Sequence, residues 1–431
     1  MNNVQRHTPL NVLENQWTEI LNNVNLPAED DFPMKCIYRV PQRIRQTNPR
    51  AYTPQIVSLG PYHYNRLEAM KNFKLKYVKG FLNRTELRIS ELLAKIEETQ
   101  NNNNTRSWYA EPVNINGDDF FDMILLDACF IVELFVRKYE DINFQIKDPL
   151  ELEPWMMLQI RHDLIRLENQ LPFATLEHLY HTVKDSASQR SLPSFADICF
   201  NYLNRPTFRC VNPNKNPEHF TDLLKSSILS SSLPEHGLGE EGAGNEVIHV
   251  YSVSQLMKAG LKFTASPNDC LLDLKLSNGV LSMPVLNVNA STDLYFRNMV
   301  AYEHCHDLAT KIITQYVVIL KFLIITENDV NILVDKKIIV NWVGDANNVV
   351  TIISNLSSGV SMPNFCRHYF TICSGLNNFY ENPRNELKAL IKHEYFSNPV
   401  KKASSIVALV LLLFTSIQTA CSFISVIIRG N

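Results

Sequence analysis

An uncharged apolar run near the C-terminus limits the architectures open to this chain. From Ile406 to Ile428 the sequence has 23 consecutive residues without a charged side chain. As an α-helix the run would extend over roughly 34 Å, more than the bilayer core of about 30 Å. The alternative is a buried core helix, which Gln418 and the Ser and Thr residues of the second half favour. Because a core helix this long rarely lacks a polar face, we predict a membrane span.

The position of this run also predicts a topology. Two shorter apolar runs, Met123 to Val136 and Ile312 to Ile325, contain charged residues and are expected to be core helices. No N-terminal run has the apolar length of a secretory signal, so the simplest topology is a tail anchor. Lys401 and Lys402 precede the span, which fits a cytosolic location for the preceding residues. We expect a single-pass protein of the plasma membrane or an endomembrane, with its bulk domain in the cytosol.

Composition excludes several classes of protein. The 431 residues are 45% hydrophobic and 20% charged, too apolar for a wholly disordered chain. The formal net charge of −3 gives no overall attraction to nucleic acid. The nine cysteines form no Cys-x-x-Cys pair, which leaves zinc ribbons and thioredoxin-like sites unsupported and favours buried free thiols. No Gly-x-Ser-x-Gly or Walker A motif occurs, and no cofactor is predicted.

Helical periodicity dominates between the termini. It predicts an amphipathic stretch over Leu67 to Leu93, which ends in an exposed loop at Asn101 to Asn104, and a helix over Trp155 to Val183. Apolar and polar residues alternate on both sides of Asn278-Gly279, a strong hairpin signal. The sequence therefore predicts an α+β fold, mainly α-helical with a small antiparallel β element and a single C-terminal transmembrane helix.

The same pattern predicts three parts of the chain. Residues 1–34 are expected to form an N-terminal arm with a short amphipathic helix around Val12 to Val24. Residues 35–400 form the mainly helical domain, and residues 401–431 form the membrane anchor. Within the domain, the segment near 233–245 is rich in glycine and glutamate, which predicts a mobile loop.

Charge is segregated along the predicted domain. Residues 35–88 hold 12 Lys and Arg against two acidic residues, whereas residues 107–168 hold 13 acidic residues against five basic ones. One interpretation of the basic block is binding of phosphate or acidic lipid. The other, which we favour, is that the two blocks pack against each other within one fold and cancel each other's field.

The polar side chains that could carry chemistry lie in the acidic block. Asp163 and Glu168 could form a general acid/base pair, or they could pair with arginines and, with Asn169 and Gln170, form a structural network or a binding site. The arginine fork can hold a carboxylate through two hydrogen bonds. The partners that we expect come from the basic block: Arg39, Arg43 and Arg45. We predict no catalytic residues.

The densest group of metal-ligand types is the run Glu303 to Asp307. It contains His304 and His306, which on a helix would point about 200° apart and could not chelate one ion together. No pair of histidines has the four-residue spacing of helical metal sites. We therefore predict no metal site.

Ordered motifs along most of the chain resemble the plant domain-of-unknown-function family 247. The segments that carry the resemblance are Tyr38–Pro41, Ala51–Pro54, Val57–His63, Met123–Glu133, Asp163–Phe173, Ala259–Phe263, Phe296–Glu303 and Tyr395–Pro399. Two places depart from the usual family pattern: Tyr64-Asn65 replaces His-Gly, and Val400 replaces an aromatic residue. The resemblance implies a plant membrane protein with a C-terminal span and no established biochemical activity.

Three functions are compatible with the sequence. The favoured one is a recognition or scaffold module that binds a protein or peptide; the alternatives are a membrane-tethered hydrolase or transferase and an anionic-lipid surface binder that uses residues 35–88. A deep pocket with unpaired titratable groups would favour an enzyme, whereas a paired interior with an exposed apolar patch would favour binding. The expected partners are a membrane and a protein or peptide, not nucleic acid; the sequence leaves the oligomeric state open.

Overall fold

The structure is a computed structural model of the chain. It describes residues 10–22, 36–64, 66, 70–103, 105–144, 152–186, 192–203, 216–229, 249–267, 270–306, 311–361, 364–396 and 399–429. The predicted mobile loop near 233–245 lies outside these residues.

The described residues are mainly α-helical, as predicted. The first nine helices are α1 (Leu10–Asn22), α2 (Gln42–Arg45), α3 (Lys71–Thr85), α4 (Ile89–Asn103), α5 (Gly117–Phe144), α6 (Pro154–Leu164), α7 (Phe173–Asp185), α8 (Phe195–Leu203) and α9 (Phe220–Ile228). The next eight are α10 (Val253–Lys258), α11 (Thr292–Cys305), α12 (Ile312–Leu323), α13 (Glu327–Asp335), α14 (Ala346–Leu356), α15 (Arg367–Glu381), α16 (Pro383–Phe396) and α17 (Pro399–Arg429).

Five short strands form two small sheets. They are β1 (Lys262–Ser266), β2 (Lys275–Ser277), β3 (Val280–Pro284), β4 (Leu286–Val288) and β5 (Ile339–Asn341). The hairpin between β2 and β3 is confirmed, and its turn residues Asn278 and Gly279 have φ values of 49° and 72°, the positive values that a tight two-residue turn needs. The small antiparallel element is only part of the β structure, because β1 pairs with β3 and β4 pairs with β5 in parallel.

Two predicted continuous segments are broken in the structure. The stretch from Leu67 to Leu93 divides where Glu86 adopts a left-handed conformation, with φ 56°, between α3 and α4. The helix predicted over Trp155 to Val183 divides into α6 and α7. The exposed loop predicted at Asn101 to Asn104 was wrong in its bounds, because α4 continues through Asn103.

The buried core is continuous from Cys36 to Leu376. In its N-terminal half, α5 is buried without interruption over residues 127–136 and packs against α3, α4, α7 and α8. In its C-terminal half, α11 packs against α12 and α14, and it also contacts α9 of the other half. The two short apolar runs predicted to be core helices form buried parts of α5 and α12, but the second run extends past α12, which ends at Leu323, and its last residue, Ile325, is exposed. The domain boundaries themselves stay a prediction.

Helix α17 differs from the core helices in its exposure. Its segment Ala403–Ser422 is long and apolar enough to cross a membrane, and none of that segment is buried against the rest of the chain. The helix includes the predicted span, Ile406 to Ile428. Length and composition are therefore compatible with the predicted anchor.

Candidate functional site

Asp163, at the end of α6, holds the N-terminal segment of the domain in place. Its carboxylate accepts the backbone N–H groups of Gln55, Ile56 and Val57 at 2.9, 2.7 and 2.8 Å, and it forms an ion pair with Arg166. Asp163 is fully buried. All four donors point at one carboxylate, so its oxygens are occupied by groups of the fold itself.

Glu168 performs the same role a few residues later. It accepts the backbone N–H of Val40 at 2.9 Å, forms an ion pair with Arg45, and lies 3.2 Å from Nε2 of His63. Arg45 also donates to the hydroxyl of Thr53 at 2.7 Å. Burial disfavours the charged carboxylate, but His63, Arg45 and the Val40 amide outweigh it and lower the pKa of Glu168. Glu168 is therefore held as a paired anion.

Asn169 and Gln170 explain why the chain is not helical between α6 and α7. Asn169 accepts the N–H of Leu59 at 2.7 Å and donates to the carbonyl of Val57 at 3.0 Å. Gln170 accepts the N–H of Phe220 at 3.0 Å and donates to two backbone carbonyls at and just beyond the end of α6. Gln170 thus satisfies carbonyls that a continuous helix would bond internally, and both side chains bond to backbone outside the segment, at residues 57–59 and Phe220.

The three arginines singled out in the sequence have different partners. Arg45 is the one that contacts Glu168. Arg39 instead pairs with Glu111 at 3.0 Å near the surface and lies over the ring of Tyr62. Arg43 is exposed on α2, near enough to His304 to help lower the pKa of that histidine to about 4, after burial and Lys311.

A small cavity of about 130 Å³ lies over the Lys74–Asp127 ion pair. Asp127 also accepts the N–H of Gly60 at 2.8 Å, and Lys74 donates to the carbonyl of Ser58 at 2.6 Å. Gly60 has φ 66°, and a Cβ there would lie 2.6 Å from a backbone carbonyl oxygen, so only glycine fits. Of the other titratable side chains that line the cavity, Tyr64 is half-buried, and Lys71, Asp119 and Asp122 are exposed. The titratable groups at its base are thus already paired.

A second polar cluster surrounds Glu218, just before α9. Its carboxylate accepts the hydroxyl of Tyr302 at 2.7 Å and lies 3.7 Å from Nε2 of His306, and the sulfur of Cys36 lies within 4.8 Å of it. The other ring nitrogen of His306 lies 3.0 Å from the hydroxyl of Tyr38. Burial is the largest of the effects that raise the pKa of the Cys36 thiol, and Glu218 raises it further. A protonated, buried thiol is a poor nucleophile.

Metal-ligand geometry in this cluster is incomplete. Atoms of Cys36, Glu218 and His219 that could bind a metal lie within 4.8 Å of one another. However, Nδ1 of His219 accepts the N–H of Asp222 at 3.2 Å, which leaves the proton on Nε2 facing the carbonyl of Cys36 at 3.1 Å. Both ring nitrogens are therefore occupied by backbone groups, and His219 has no lone pair left for an ion.

The comparisons with known proteins give the family. The profile of the plant domain-of-unknown-function family 247, described as plant protein of unknown function, matches residues 37–414. The chain belongs to this family. UPF0481 protein At3g47200 of Arabidopsis thaliana is 29% identical, over 90% of this chain and 86% of that protein. UPF0481 protein At3g02645, also of Arabidopsis thaliana, is 20% identical, over 71% of this chain and 74% of that protein. No solved structure matches the chain.

In this family 247 protein, the network around Asp163 and Glu168 has a structural role, which is to hold residues 40–57 against the end of α6; we call it the carboxylate clamp. Its carboxylates accept backbone N–H groups of residues 40–57 and pair with arginines. The charge blocks of the sequence indicated that such a contact forms. No charge block or motif in the sequence predicted the Glu218 cluster, because Cys36, Glu218 and Tyr302 come from three distant segments of the chain.

The buried histidines predict a loss of stability in acid. Burial is the main cause that lowers the pKa of His219, to about 3, against about 6.5 in an unfolded chain. Below pH 6.5 the unfolded chain therefore binds a proton that the folded chain does not, so stability falls as the pH falls. We expect His219 to account for a loss of about 2 kcal/mol between pH 7 and pH 5.

Urea unfolding of the full-length protein in neutral detergent at both pH values measures this loss. His219→Gln should show a smaller difference between pH 7 and pH 5 than the wild type. His181→Gln, at an exposed position, should keep the wild-type difference. An equal difference in all three proteins would contradict the assignment.

Proposed function

We propose that this chain is a membrane-anchored recognition or scaffold protein, with α17 in the membrane and the helical domain on the cytosolic side. The occupied carboxylates of the interior argue against the hydrolase or transferase alternative, since a general acid or base needs a group free to exchange a proton with substrate. The apolar length of the segment Ala403–Ser422 of α17, none of which is buried against the rest of the chain, supports the anchor. The recognition role needs a surface for a protein or peptide.

The observation that carries the proposal is a partly apolar groove beside α16, the helix that directly precedes α17. The groove has a volume of about 540 Å³. Its apolar lining residues are Met257, Ile332, Ala389 and Leu390, and its polar ones are Ser254, Lys258, Asn328 and Glu386. Leu390 and the neighbouring Leu387 are 54% and 58% exposed. An amphipathic helix of a partner protein can bury its apolar face in a groove of this kind. The position next to α17 would place this surface near the membrane.

Proximity labelling in plant cells tests the membrane and the partner together. With the labelling enzyme fused to the N-terminus, we expect labelled neighbours of the cytosol and of one membrane. The variant Leu387→Lys/Leu390→Lys should lose a defined subset of protein neighbours and keep its location. Ile89→Lys/Leu93→Lys changes two exposed apolar residues of α4 and should keep that subset.

Two results would contradict the proposal. One is an identical set of neighbours for the wild type and the groove variant. The other is glycosylation at a sequon such as Asn83, Asn289 or Asn355, which would place the domain in a lumen.

A further inference from the structure

The structure divides the basic block of residues 35–88 into paired and unpaired side chains. Of the 11 basic residues of this block that the structure describes, Arg39, Arg45, Lys74 and Arg84 form ion pairs with the acidic block, and Arg88 pairs with its neighbour Glu91. Packing against the acidic block therefore accounts for part of the block only. Among the rest, Arg50 and Arg66 lie on the same cleft.

This cleft, which we call the arginine cleft, is lined by Arg45, Pro49, Arg50, Thr53, Gln55 and Arg66. It is open and has a volume of about 510 Å³. Arg50 and Arg66 are exposed and have no acidic partner among the described residues. Arg50 is the middle residue of the short 3-10 helix Pro49–Ala51, and its carbonyl accepts Nε of Arg166 at 3.4 Å. The backbone of Arg50 is therefore fixed to the buried network.

Among the residues that the structure describes, the charges around the arginine cleft do not cancel. Asp163 and Glu168 lie in the network behind it, but each already has its own arginine, Arg166 and Arg45. Neither carboxylate is left to neutralise Arg50 or Arg66. Guanidinium groups that line one cleft repel one another, and an anion bound between them would offset this repulsion.

We infer that the arginine cleft binds a phosphate group. Two unpaired guanidinium forks can each donate two parallel hydrogen bonds to phosphate oxygens, and Arg is the side chain best suited to this geometry. A soluble phosphate ester and a lipid headgroup present the same phosphate oxygens to the cleft, and the test below distinguishes these two sources. The inference is independent of the proposed anchor and of the groove beside α16.

The test uses the full-length protein in nanodiscs of neutral phosphatidylcholine. Inositol hexakisphosphate and inorganic phosphate are titrated by calorimetry. We expect saturable binding that Arg50→Gln/Arg66→Gln weakens about tenfold or more, as expected for the loss of charge-assisted hydrogen bonds. Lys76→Gln/Lys79→Gln removes the same charge from exposed positions of α3 outside the cleft and should change the affinity by less than about twofold.

Nanodiscs that contain phosphatidylinositol phosphate distinguish the two sources. If the lipid competes with inositol hexakisphosphate in the wild type, the ligand is a headgroup; if it does not compete, the ligand is a soluble ester. Absence of saturable binding, an unchanged affinity in Arg50→Gln/Arg66→Gln, or an equal loss in the α3 variant would overturn the inference. Equal melting temperatures of both double variants and the wild type would show that the cleft variant is folded.

Discussion

Replacement of Asp163 with alanine is expected to prevent the domain from folding at ordinary temperature. The change leaves Arg166 buried without its carboxylate, and loss of one member of a buried ion pair costs about 3–5 kcal/mol. It also removes the acceptor of three backbone N–H groups, each of which costs about 1–3 kcal/mol when buried without a partner. Together these losses are comparable with the whole stability of a typical domain, about 5–15 kcal/mol.

Thermal unfolding of the full-length protein in neutral detergent measures this effect. Asp163→Asn keeps one carbonyl acceptor and should be destabilised less than Asp163→Ala. Asp141→Ala removes a surface pair with Lys138, in which the Asp141 side chain is 42% exposed, and should cost about 1 kcal/mol or less. An unchanged or higher melting temperature for Asp163→Ala would contradict the structural role of Asp163. That result would favour the enzyme alternative, because removal of a catalytic carboxylate often leaves stability unchanged or raised.

The elements that the sequence predicted well are those whose conformation is determined by residues adjacent in the chain. The β2–β3 hairpin is set by two adjacent residues, Asn278 and Gly279, whose positive φ values form the turn. The parallel pairing of β4 with β5 could not be predicted in this way. It joins residues about 50 positions apart, and neither three-residue strand contains information about its partner.

The break between α6 and α7 shows how distant contacts override local pattern. Residues 155–183 have helical periodicity, but Asn169 and Gln170 bond to the backbone of residues 57–59 and of Phe220. A helical path through this region would break these contacts. The sequence likewise indicated that an arginine meets Glu168, but the choice of Arg45 depends on α2 and on the bond to Thr53.

Deletion of residues 405–431 is expected to convert a membrane-pelleting protein into a soluble, folded one. None of the segment Ala403–Ser422 is buried against the rest of the chain, so its removal takes no apolar surface away from the core. In the membrane, by contrast, those side chains supply most of the insertion free energy. Carbonate extraction followed by ultracentrifugation measures whether the truncated protein still pellets with membranes. The melting temperature of the truncated protein, compared with that of the full chain in neutral detergent, measures whether the domain remains folded.

A pair of substitutions in the full-length chain separates membrane insertion from the loss of a helix. Leu411→Arg/Leu412→Arg should release the protein from membranes, because each arginine near the centre of a span costs about 2.5–3.5 kcal/mol. Leu411→Ala/Leu412→Ala keeps the segment uncharged and should remain in the pellet. If the truncated chain still pellets after carbonate extraction, or is degraded where the full chain is stable, α17 is a part of the folded domain. Its exposed leucines would then have to pack against a surface of the protein instead of lipid.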